Sequence, residues 1–269
     1  MANRVLVTGG TGTVGREVVD RLTAAGKQVR VLSRGRRRQQ RGDVQHVVGD
    51  VRTGAGLDAA VDGVDAIVHC VVPVERLVAA AKRAGSPHLV YISIVGVDRI
   101  PFGFYRSLLA GERVIAESGL PFTVLRATQF HDLVAVFLRM LAKGPVMMLP
   151  SGMRFQPVDV REVGQRLAGL ALGEPSGRAP DFGGPQVRAL DDLARSHLTI
   201  VGRRRPVVPI RVPGKVFRAF RAGENLAPEG AAGTITFEEY LRERVSTGQL
   251  PYADALRDYL RIRPRKGSR

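Results

Sequence analysis

The sequence predicts an α/β fold built on a doubly wound parallel sheet, with a small mixed lobe at the C-terminal end. From residue 4 to about 172, short apolar runs alternate with amphipathic helical patterns, as expected for repeated β-α units. The runs are continuously rich in Val, Ile and Leu, which is typical of strands whose two faces are both covered by helices. Right-handed crossovers between such strands place helices on both faces of the sheet.

The individual elements follow from the apolar periodicity and from the glycines that end the helices. Strands are predicted at 4–8, 29–33, 44–48, 66–71, 89–93 and 122–126. Helices are predicted near 13–25, 56–62, 74–84, 105–118 and 130–142. Gly26, Gly85 and Gly119 each follow one of these helices, where a left-handed C-cap glycine is expected.

The pattern changes after residue 172, because loops rich in glycine and proline interrupt the alternation. Helical patterns resume near 189–201, 213–222, 236–247 and 252–262, with one strand-like run at 207–212. We therefore divide the chain into a sheet domain at 1–172, a smaller lobe at 173–262 and a basic tail at 263–269, which we expect to fray.

The composition shows a strong excess of positive charge. The chain has 41 Lys and Arg against 25 Asp and Glu, which gives a formal net charge of +16. The charge is concentrated at 34–41, 203–205 and 257–269, and no aromatic residue interleaves with the first two runs. No helix-turn-helix or zinc module is visible. We interpret the charge as solvated surface with one local phosphate site, rather than as a nucleic-acid interface.

Several classes of protein are disfavoured by what the sequence lacks. No run of about 18 apolar residues predicts a transmembrane helix, and no charged and apolar leader precedes the first strand. Cys70 has no partner for an internal disulfide, which fits a reducing compartment. The five histidines show no metal-ligand spacing. We therefore expect a cytoplasmic protein with neither a metal site nor a membrane partner.

The turn after the first strand carries the most specific signal in the chain. Residues 5–15 read VLVTGGTGTVG, which places three glycines between a strand and a helix. Gly9 permits the tight turn, Gly12 lets a pyrophosphate approach the backbone, and Gly15 lets the helix lie close to the strand. Free N–H groups at the start of the helix would bind the phosphates. We predict a Rossmann-type dinucleotide site with these contacts: Thr8, Gly9, Gly10, Thr11, Gly12, Thr13, Val14 and Gly15.

The end of the second strand indicates which dinucleotide is bound. A site for NAD has Asp or Glu about 20 residues after the glycines, where it holds the ribose 2′-hydroxyl. This chain has Ser33 and Arg34 there, followed by arginines at 36–38. A guanidinium binds the 2′-phosphate that a carboxylate would repel. We predict NADP(H) with Ser33 and Arg34 as contacts, while 36–38 are either further contacts or a solvated charge run.

Residues after the third and fourth strands complete the predicted cofactor site. Asp50 and Val51 stand where this fold can contact the adenine amino group, and a turn or helix N-cap is the alternative role of Asp50. Val71 and Val72 are expected to line the wall beside the adenosine and ribose.

Three further stretches resemble one family. They are residues 90–97 (VYISIVGV), 118–131 (SGLPFTVLRATQFH) and 155–163 (FQPVDVREV). With the glycine pattern, they resemble the NmrA-like branch of the atypical short-chain dehydrogenase/reductases, which contains triphenylmethane-reductase-like and NAD(P)H-binding quinone-reductase-like proteins. The resemblance covers residues 3–245 and implies a Rossmann domain, NADP(H) and a substrate cleft under the C-terminal lobe. The branch also includes redox sensors that bind the cofactor without turnover.

The usual catalytic dyad of these reductases is absent. Family members commonly carry Tyr-X-X-X-Lys on the helix after the fifth strand, with both side chains on one face. There the lysine lowers the pKa of the tyrosine, which transfers a proton. The corresponding positions here are Phe104 and Leu108. Tyr105 lies about 100° further around the helix and is kept as a candidate substitute.

Four residues at the ends of the fifth and sixth strands remain as candidates near the reacting group. Ser93 would donate to a substrate oxygen, unless its hydroxyl bonds to backbone. His131 would donate a proton near neutral pH, unless it is a structural histidine at a helix N-terminus. Gln129 and Phe130 lie at the carboxyl edge of the sheet, where ligands bind, and are predicted as cofactor contacts.

These observations favour an NADPH-dependent reductase of a small quinone-like, aromatic or enone acceptor, which needs no dedicated acid. One alternative is a non-catalytic, NADP(H)-sensing regulator, which the missing dyad favours. A nucleotide-sugar epimerase or dehydratase is the other alternative, and the missing dyad disfavours it. Besides a small-molecule substrate, the expected partners are a second copy of the chain in a homodimer or a regulatory protein.

Overall fold

The computed structural model of the protein describes residues 2–35 and 44–248. Its strands are β1 (Arg4–Thr8), β2 (Gln28–Ser33), β3 (Val44–Val48), β4 (Ala66–His69), β5 (His88–Ile94), β6 (Phe122–Ala127), β7 (Met147–Pro150), β8 (Arg154–Phe155), β9 (Gly177–Arg178), β10 (Arg188–Ala189) and β11 (Val207–Ile210). Its helices are α1 (Thr13–Ala24), α2 (Leu57–Val61), α3 (Glu75–Arg83), α4 (Gly103–Ala116), α5 (His131–Leu141), α6 (Val160–Leu172), α7 (Leu190–Ile200), α8 (Lys215–Ala222) and α9 (Phe237–Ser246).

Seven of the described strands form one parallel sheet in the order β3-β2-β1-β4-β5-β6-β9. Val7 in β1 lies beside Val31 in β2 and Val68 in β4. The strand order reverses between β1 and β4, and the crevice outside the carboxyl ends at such a reversal is where this fold binds ligands. The predicted Rossmann-type sheet is therefore confirmed.

The six predicted strands of the sheet and the five predicted helices among them are all present, with bounds within two residues of the prediction. Gly26, Gly85 and Gly119 adopt φ values of +70°, +94° and +77°, the left-handed conformation expected after a helix. Three of the later predicted helices form as α7, α8 and α9. The predicted helix at 252–262 and the basic tail at 263–269 lie outside the described residues.

Helix α6 is the main element that the sequence analysis does not predict. Gly164 and Gly169 lower its intrinsic helix propensity, and tertiary packing overrides that preference. A Cβ placed on Gly164 would lie 2.5 Å from the Cβ of Glu17, so α6 meets α1 at very short range there. The strands β7 to β10 are also unpredicted, because two to four residues give too little periodicity.

The described residues group into two compact units. Unit 1 comprises 2–93, 107–126 and 160–180, without the gap at 36–43, and unit 2 comprises 94–106, 127–159 and 181–248. The chain leaves unit 1 after Ser93 and again after Arg126, near the ends of β5 and β6. The units therefore interleave along the chain, whereas the sequence analysis uses one boundary after residue 172. The division into a cofactor domain and a substrate lobe stays a prediction about function.

Unit 2 has its own core and a buried polar anchor. Helices α5, α7 and α9 enclose a cluster that includes Leu138, Leu193 and Tyr240. The buried Gln156 side chain donates to the carbonyls of Gly184 and Ala227 at 2.9 and 3.1 Å, and it accepts from the N–H of Ala227 at 2.8 Å. This residue of the 155–163 stretch therefore holds two loops in place.

Residues 2–35 and 44–248 offer neither a membrane-spanning helix nor a cluster of metal ligands. Among the helices of these residues, none is long and apolar enough to cross a membrane. The same residues contain no group of three or more His, Cys, Asp or Glu side chains placed to hold a metal ion.

Gly164→Ala should destabilise the protein, because the added Cβ has no space against Glu17 and overpacking of this kind costs about 1–3 kcal/mol. Gly169→Ala on the same helix is the matched control, since nothing lies within 4 Å of its added Cβ. The control should stabilise the protein by about 0.5–1 kcal/mol. Urea unfolding measures both variants, and equal effects would contradict the close packing of α6 on α1.

Candidate functional site

The turn between β1 and α1 is compact because glycines let its two ends approach each other. Gly9 has a φ of +74°, and its carbonyl accepts a hydrogen bond from the N–H of Gly12 at 2.8 Å. A Cβ on Gly15 would lie 2.2 Å from that same carbonyl oxygen. Only glycine at position 15 therefore lets the first turn of α1 rest on Gly9. This contact explains the spacing of the glycines.

Helix α1 begins without a capping side chain. Its N-cap is Gly12 in extended backbone, and the first turn contains no acidic residue. The first hydrogen bond of the helix is donated by the N–H of Arg16 to the carbonyl of Gly12 at 3.1 Å. The N–H groups before it have no partner inside the helix, and the helix dipole makes this end positive. Such an arrangement suits a pyrophosphate.

Neighbouring residues hold the turn in place. A Cβ on Gly10 would lie 2.9 Å from Val31 in β2, and one on Gly9 would lie 2.7 Å from Cγ1 of Val71. The carbonyl of Thr11 accepts from Nε of Arg16 at 2.8 Å. Val71, predicted to line the cofactor wall, thus lies directly against the turn, and Val72 follows it half-buried.

Thr8 and His69 connect the ends of β1 and β4. The Oγ1 of Thr8 lies 2.6 Å from Nδ1 of His69, and both side chains are fully buried. Burial lowers the pKa of His69 to about 3, so its ring is neutral near neutral pH. The Thr8 hydroxyl is engaged by this bond and the Thr8 carbonyl accepts from the N–H of Cys70 at 3.1 Å. The sequence analysis missed His69, because only the strand register brings it beside Thr8.

The end of β2 presents Arg34 to solvent. The Ser33 hydroxyl donates to the carbonyl of Gly35 at 2.8 Å, which turns the chain at this point. The Ser33 carbonyl accepts from the N–H of Gly49 at 2.9 Å. The side chain of Arg34 is exposed. The arginines at 36–38 lie outside the described residues.

Asp50 lies in a turn that its own groups close. Its Oδ1 accepts from the N–H of Arg52 at 2.8 Å, and its carbonyl accepts from the N–H of Gly54 at 2.8 Å. These bonds give Asp50 the turn role that the sequence analysis kept as an alternative. The adenine contact of Asp50 and the half-buried Val51 stays a prediction.

Ser93 differs from the other catalytic candidates because its hydroxyl is buried and unsatisfied. The residue is 1% exposed, and its Oγ forms no hydrogen bond within the described part of the chain. The backbone bond that was the alternative role of Ser93 is therefore not present. An unsatisfied buried hydroxyl costs free energy and calls for a partner from a ligand or water.

Helix α4 packs closely on β5 and contributes Glu112 to a buried ion pair. Leu108, for which the resemblance to the NmrA-like branch implies a lysine, is buried. A Cβ on Gly111 would lie 2.8 Å from the hydroxyl oxygen of Tyr91, so α4 lies close to β5. Arg126 donates to both carboxylate oxygens of Glu112 at 2.8 and 2.6 Å, and both side chains are almost completely buried. Glu112 is thus a structural partner.

Tyr105 and His131 both occupy packed surroundings in unit 2. The Tyr105 ring is buried with an edge-on contact to Phe102 at 5.9 Å between centroids. The fully buried His131 donates from Nε2 to the carbonyl of Ile235 at 3.0 Å, and its ring stacks on Tyr240 at 5.2 Å. This environment favours the structural alternative for His131. Proton donation by either residue stays a prediction, and our proposal does not use it.

Gln129 lies beside a polar residue that the sequence analysis missed. Its Oε1 accepts from Nδ2 of Asn225 at 3.3 Å, while Asn225 also donates to the carbonyl of Arg154 at 2.9 Å. Asn225 follows a basic and apolar stretch without any motif, so the sequence offers no signal for it. Phe130 is half-buried at the N-cap of α5, where it forms a bridge with Val158. Cofactor contacts of Gln129 and Phe130 stay predictions.

The strand order, the glycine turn and the uncapped start of α1 together define an α/β protein that binds a dinucleotide. Residues 9–145 match the family described as NAD(P)H-binding. The chain belongs to this NAD(P)H-binding family.

Two curated relatives that match about three quarters of the chain are reductases. The chain is 33% identical over 210 residues to the (4-alkanoyl-5-oxo-2,5-dihydrofuran-3-yl)methyl phosphate reductase of Streptomyces griseus, with 74% of each chain covered. It is 30% identical over 214 residues to the NAD(P)H azoreductase of Xenophilus azovorans, again with 74% of each chain covered. The NADPH-dependent quinone oxidoreductase of Escherichia coli superposes with a TM-score of 0.72 at 16% identity, over 90% of this chain and 99% of that one.

These comparisons confirm the expected family and the nicotinamide cofactor. The chain is an NAD(P)H-binding oxidoreductase. The likeness to the Escherichia coli enzyme shows the shared fold, in line with the resemblance to the NmrA-like branch.

The buried His69 should make the protein less stable as the pH falls from about 7 to about 5. An unfolded histidine takes up a proton near pH 6.5, whereas folded His69 does so only at about 3. The unfolded state therefore binds the proton first, and stability present above about pH 6.5 is lost below it, by up to about 1.4 kcal/mol per pH unit.

The variant His69→Asn should show a shallower loss of unfolding free energy over this range, measured by urea unfolding. His197, whose pKa burial lowers to about 4, is present in both proteins, so its contribution cancels in the comparison. Parallel pH profiles for the two proteins would contradict a buried, neutral His69.

Proposed function

We propose that the protein is an NADPH-dependent reductase of a small quinone-like, aromatic or enone acceptor. The observation that carries the proposal is the close approach of Gly15 to the carbonyl of Gly9, which lets α1 begin directly after the turn with the N–H groups of its first turn uncapped. This start of the helix suits the pyrophosphate of a dinucleotide, whereas a Cβ at position 15 would clash with the Gly9 carbonyl and push α1 away from the turn.

Residues of unit 1 bind the cofactor in this proposal. The N–H groups at the start of α1 hold the pyrophosphate, and Val71 lies beside the turn. Arg34, exposed after β2, binds the 2′-phosphate with charge-assisted hydrogen bonds, which selects NADPH over NADH. When bound, the nicotinamide supplies a hydride.

In this proposal, Ser93 donates a hydrogen bond to the substrate that accepts the hydride. Its buried hydroxyl has no partner in the described residues, so it can donate to an oxygen or nitrogen on which negative charge develops. A conjugated acceptor spreads that charge itself and needs a donor rather than a strong acid. The apolar Leu108 leaves no lysine to assist a tyrosine, which disfavours simple alcohol–carbonyl chemistry.

The names of the relatives support this class of acceptor. The names of these three proteins state their substrates, which are a dihydrofuranone, an azo compound and a quinone. Each of these substrates contains an electron-poor, conjugated group. In each of these groups, hydride addition gives an anion that is delocalised over the acceptor.

A second candidate function is an NADP(H)-sensing regulator that binds the cofactor without turnover. The buried Leu108 at the family's lysine position favours it, because a protein that catalyses nothing needs no dyad. Steady-state oxidation of NADPH with menadione or methyl red distinguishes the two functions. Turnover supports the reductase, whereas tight NADPH binding without turnover of either probe supports the regulator.

Arg34→Ala should weaken NADPH binding about 10- to 100-fold and leave NADH binding unchanged, because it removes charge-assisted hydrogen bonds to the 2′-phosphate. Isothermal titration calorimetry with both dinucleotides measures the effect. Arg113→Ala is the control, since Arg113 is an equally exposed arginine on α4. An equal loss for NADPH and NADH, or no loss at all, would refute the role of Arg34.

Ser93→Ala should lower kcat with menadione about 100-fold while the Kd for NADPH stays unchanged, because it removes a donor that acts on developing charge. Stopped-flow oxidation of NADPH measures the hydride step directly. The variant also removes an unsatisfied buried hydroxyl, so its unfolding free energy should not decrease. An unchanged kcat would exclude Ser93 from the reaction.

A further inference from the structure

In unit 2, β7 and β11 form a two-stranded parallel sheet with one face on the core. Met147 and Leu149 belong to that core. The opposite face, which we call the β7–β11 face, consists of Met148, Pro150, Val208 and Ile210, since Met148 pairs with Val208 and Pro150 with Ile210.

The β7–β11 face is apolar although it points to solvent. The outward residues of a sheet that covers a core on one side are ordinarily polar. Here Met148 is 57% exposed, Val208 40% and Ile210 38%. Val146, just before β7, is 40% exposed as well. Contiguous exposed apolar side chains of this kind mark an interaction surface.

Both strands of this face lie in segments that carry only positive charge. Residues 201–223, which contain β11, include seven basic and no acidic residues. Residues 133–158, which contain β7, include three basic and no acidic residues. The two segments together thus carry ten basic residues and no acidic one.

Hydrogen bonds place the basic residues at both ends of the face. Before β11, Arg205 donates from Nε to the carbonyl of Gly144 at 3.0 Å, beside the turn that leads into β7. After β11, Arg221 donates to the carbonyl of Val212 at 3.0 Å. Arg204 and Arg211 are exposed at the same two ends. The apolar centre thus has a positive rim.

We propose that the β7–β11 face binds the surface of an anionic lipid bilayer. Its apolar side chains would enter the boundary between headgroups and acyl chains, while the arginines bind headgroup phosphates. This revises the expectation of no membrane partner, which rested on the lack of a spanning segment.

Other occupants fit the face less well. An added protein strand would meet Pro209 in β11, which has no N–H to donate. A second copy of the same face would bring two positive rims together. Nucleic acid would find no aromatic ring among the four residues of the face on which a base could stack.

Co-sedimentation of the full chain with vesicles tests the proposal. We expect strong binding to phosphatidylcholine vesicles that contain phosphatidylglycerol, weak binding to pure phosphatidylcholine, and a loss of binding at high salt. The double variant Arg204→Gln with Arg211→Gln should weaken partitioning about 25-fold, at about fivefold for each basic residue. Its control, Arg113→Gln with Arg166→Gln, removes two exposed arginines from unit 1 and should bind like the unmodified protein.

The apolar part is tested by Val208→Thr with Ile210→Thr, which should weaken partitioning at least about fivefold. Val187→Thr with Val245→Thr is the control, because both valines are exposed elsewhere in unit 2.

Equal binding to neutral and anionic vesicles, or equal effects of face and control variants, would overturn the proposal. Two further results would also overturn it, provided that the face variants still bind vesicles. One is the loss of a dimer in sedimentation velocity, and the other is the loss of RNA binding. Should a variant fail to fold, the binding of the unmodified chain to anionic and to neutral vesicles still tests the proposal.

Discussion

The structure depends on one close approach, between the backbone of Gly15 and the carbonyl of Gly9. It lets α1 begin directly after the end of β1 and leaves the N–H groups of its first turn uncapped at the N-terminal end of the helix. The buried Thr8–His69 bond and the Val71 side chain hold the same turn from the side of β4. A phosphate-binding site is therefore built from backbone, and the side chains around it only fix its shape.

The chemistry that follows is constrained by what α4 contributes. It packs against β5 at Gly111 and contributes Glu112 to the buried ion pair with Arg126, while the resemblance to the NmrA-like branch implies a lysine where this chain has Leu108. A protein with this helix cannot activate a tyrosine in the usual way. In our proposal, an acceptor that delocalises the added charge and receives a hydrogen bond from the Ser93 hydroxyl makes reduction possible without that lysine.

How far the sequence predicts the molecule depends on whether a feature is local. Six of the seven described strands of the main sheet and the glycine turn are local features, so periodicity and spacing predict them within two residues, whereas the two-residue β9 is too short to predict. Helix α6 is not predicted because two glycines lower its helix propensity, and the close contact with α1 that accounts for Gly164 is not visible in the sequence. The Thr8–His69 bond and the unsatisfied Ser93 hydroxyl depend on strand register and burial, which no single stretch of sequence encodes.

A crystal structure of the protein with NADP⁺ tests the central claim most directly. The account predicts pyrophosphate oxygens about 3 Å from the backbone nitrogens at the start of α1. It also predicts the 2′-phosphate on the guanidinium of Arg34. A dinucleotide bound away from this turn, or one whose phosphates face side chains instead of the first-turn N–H groups, would contradict it.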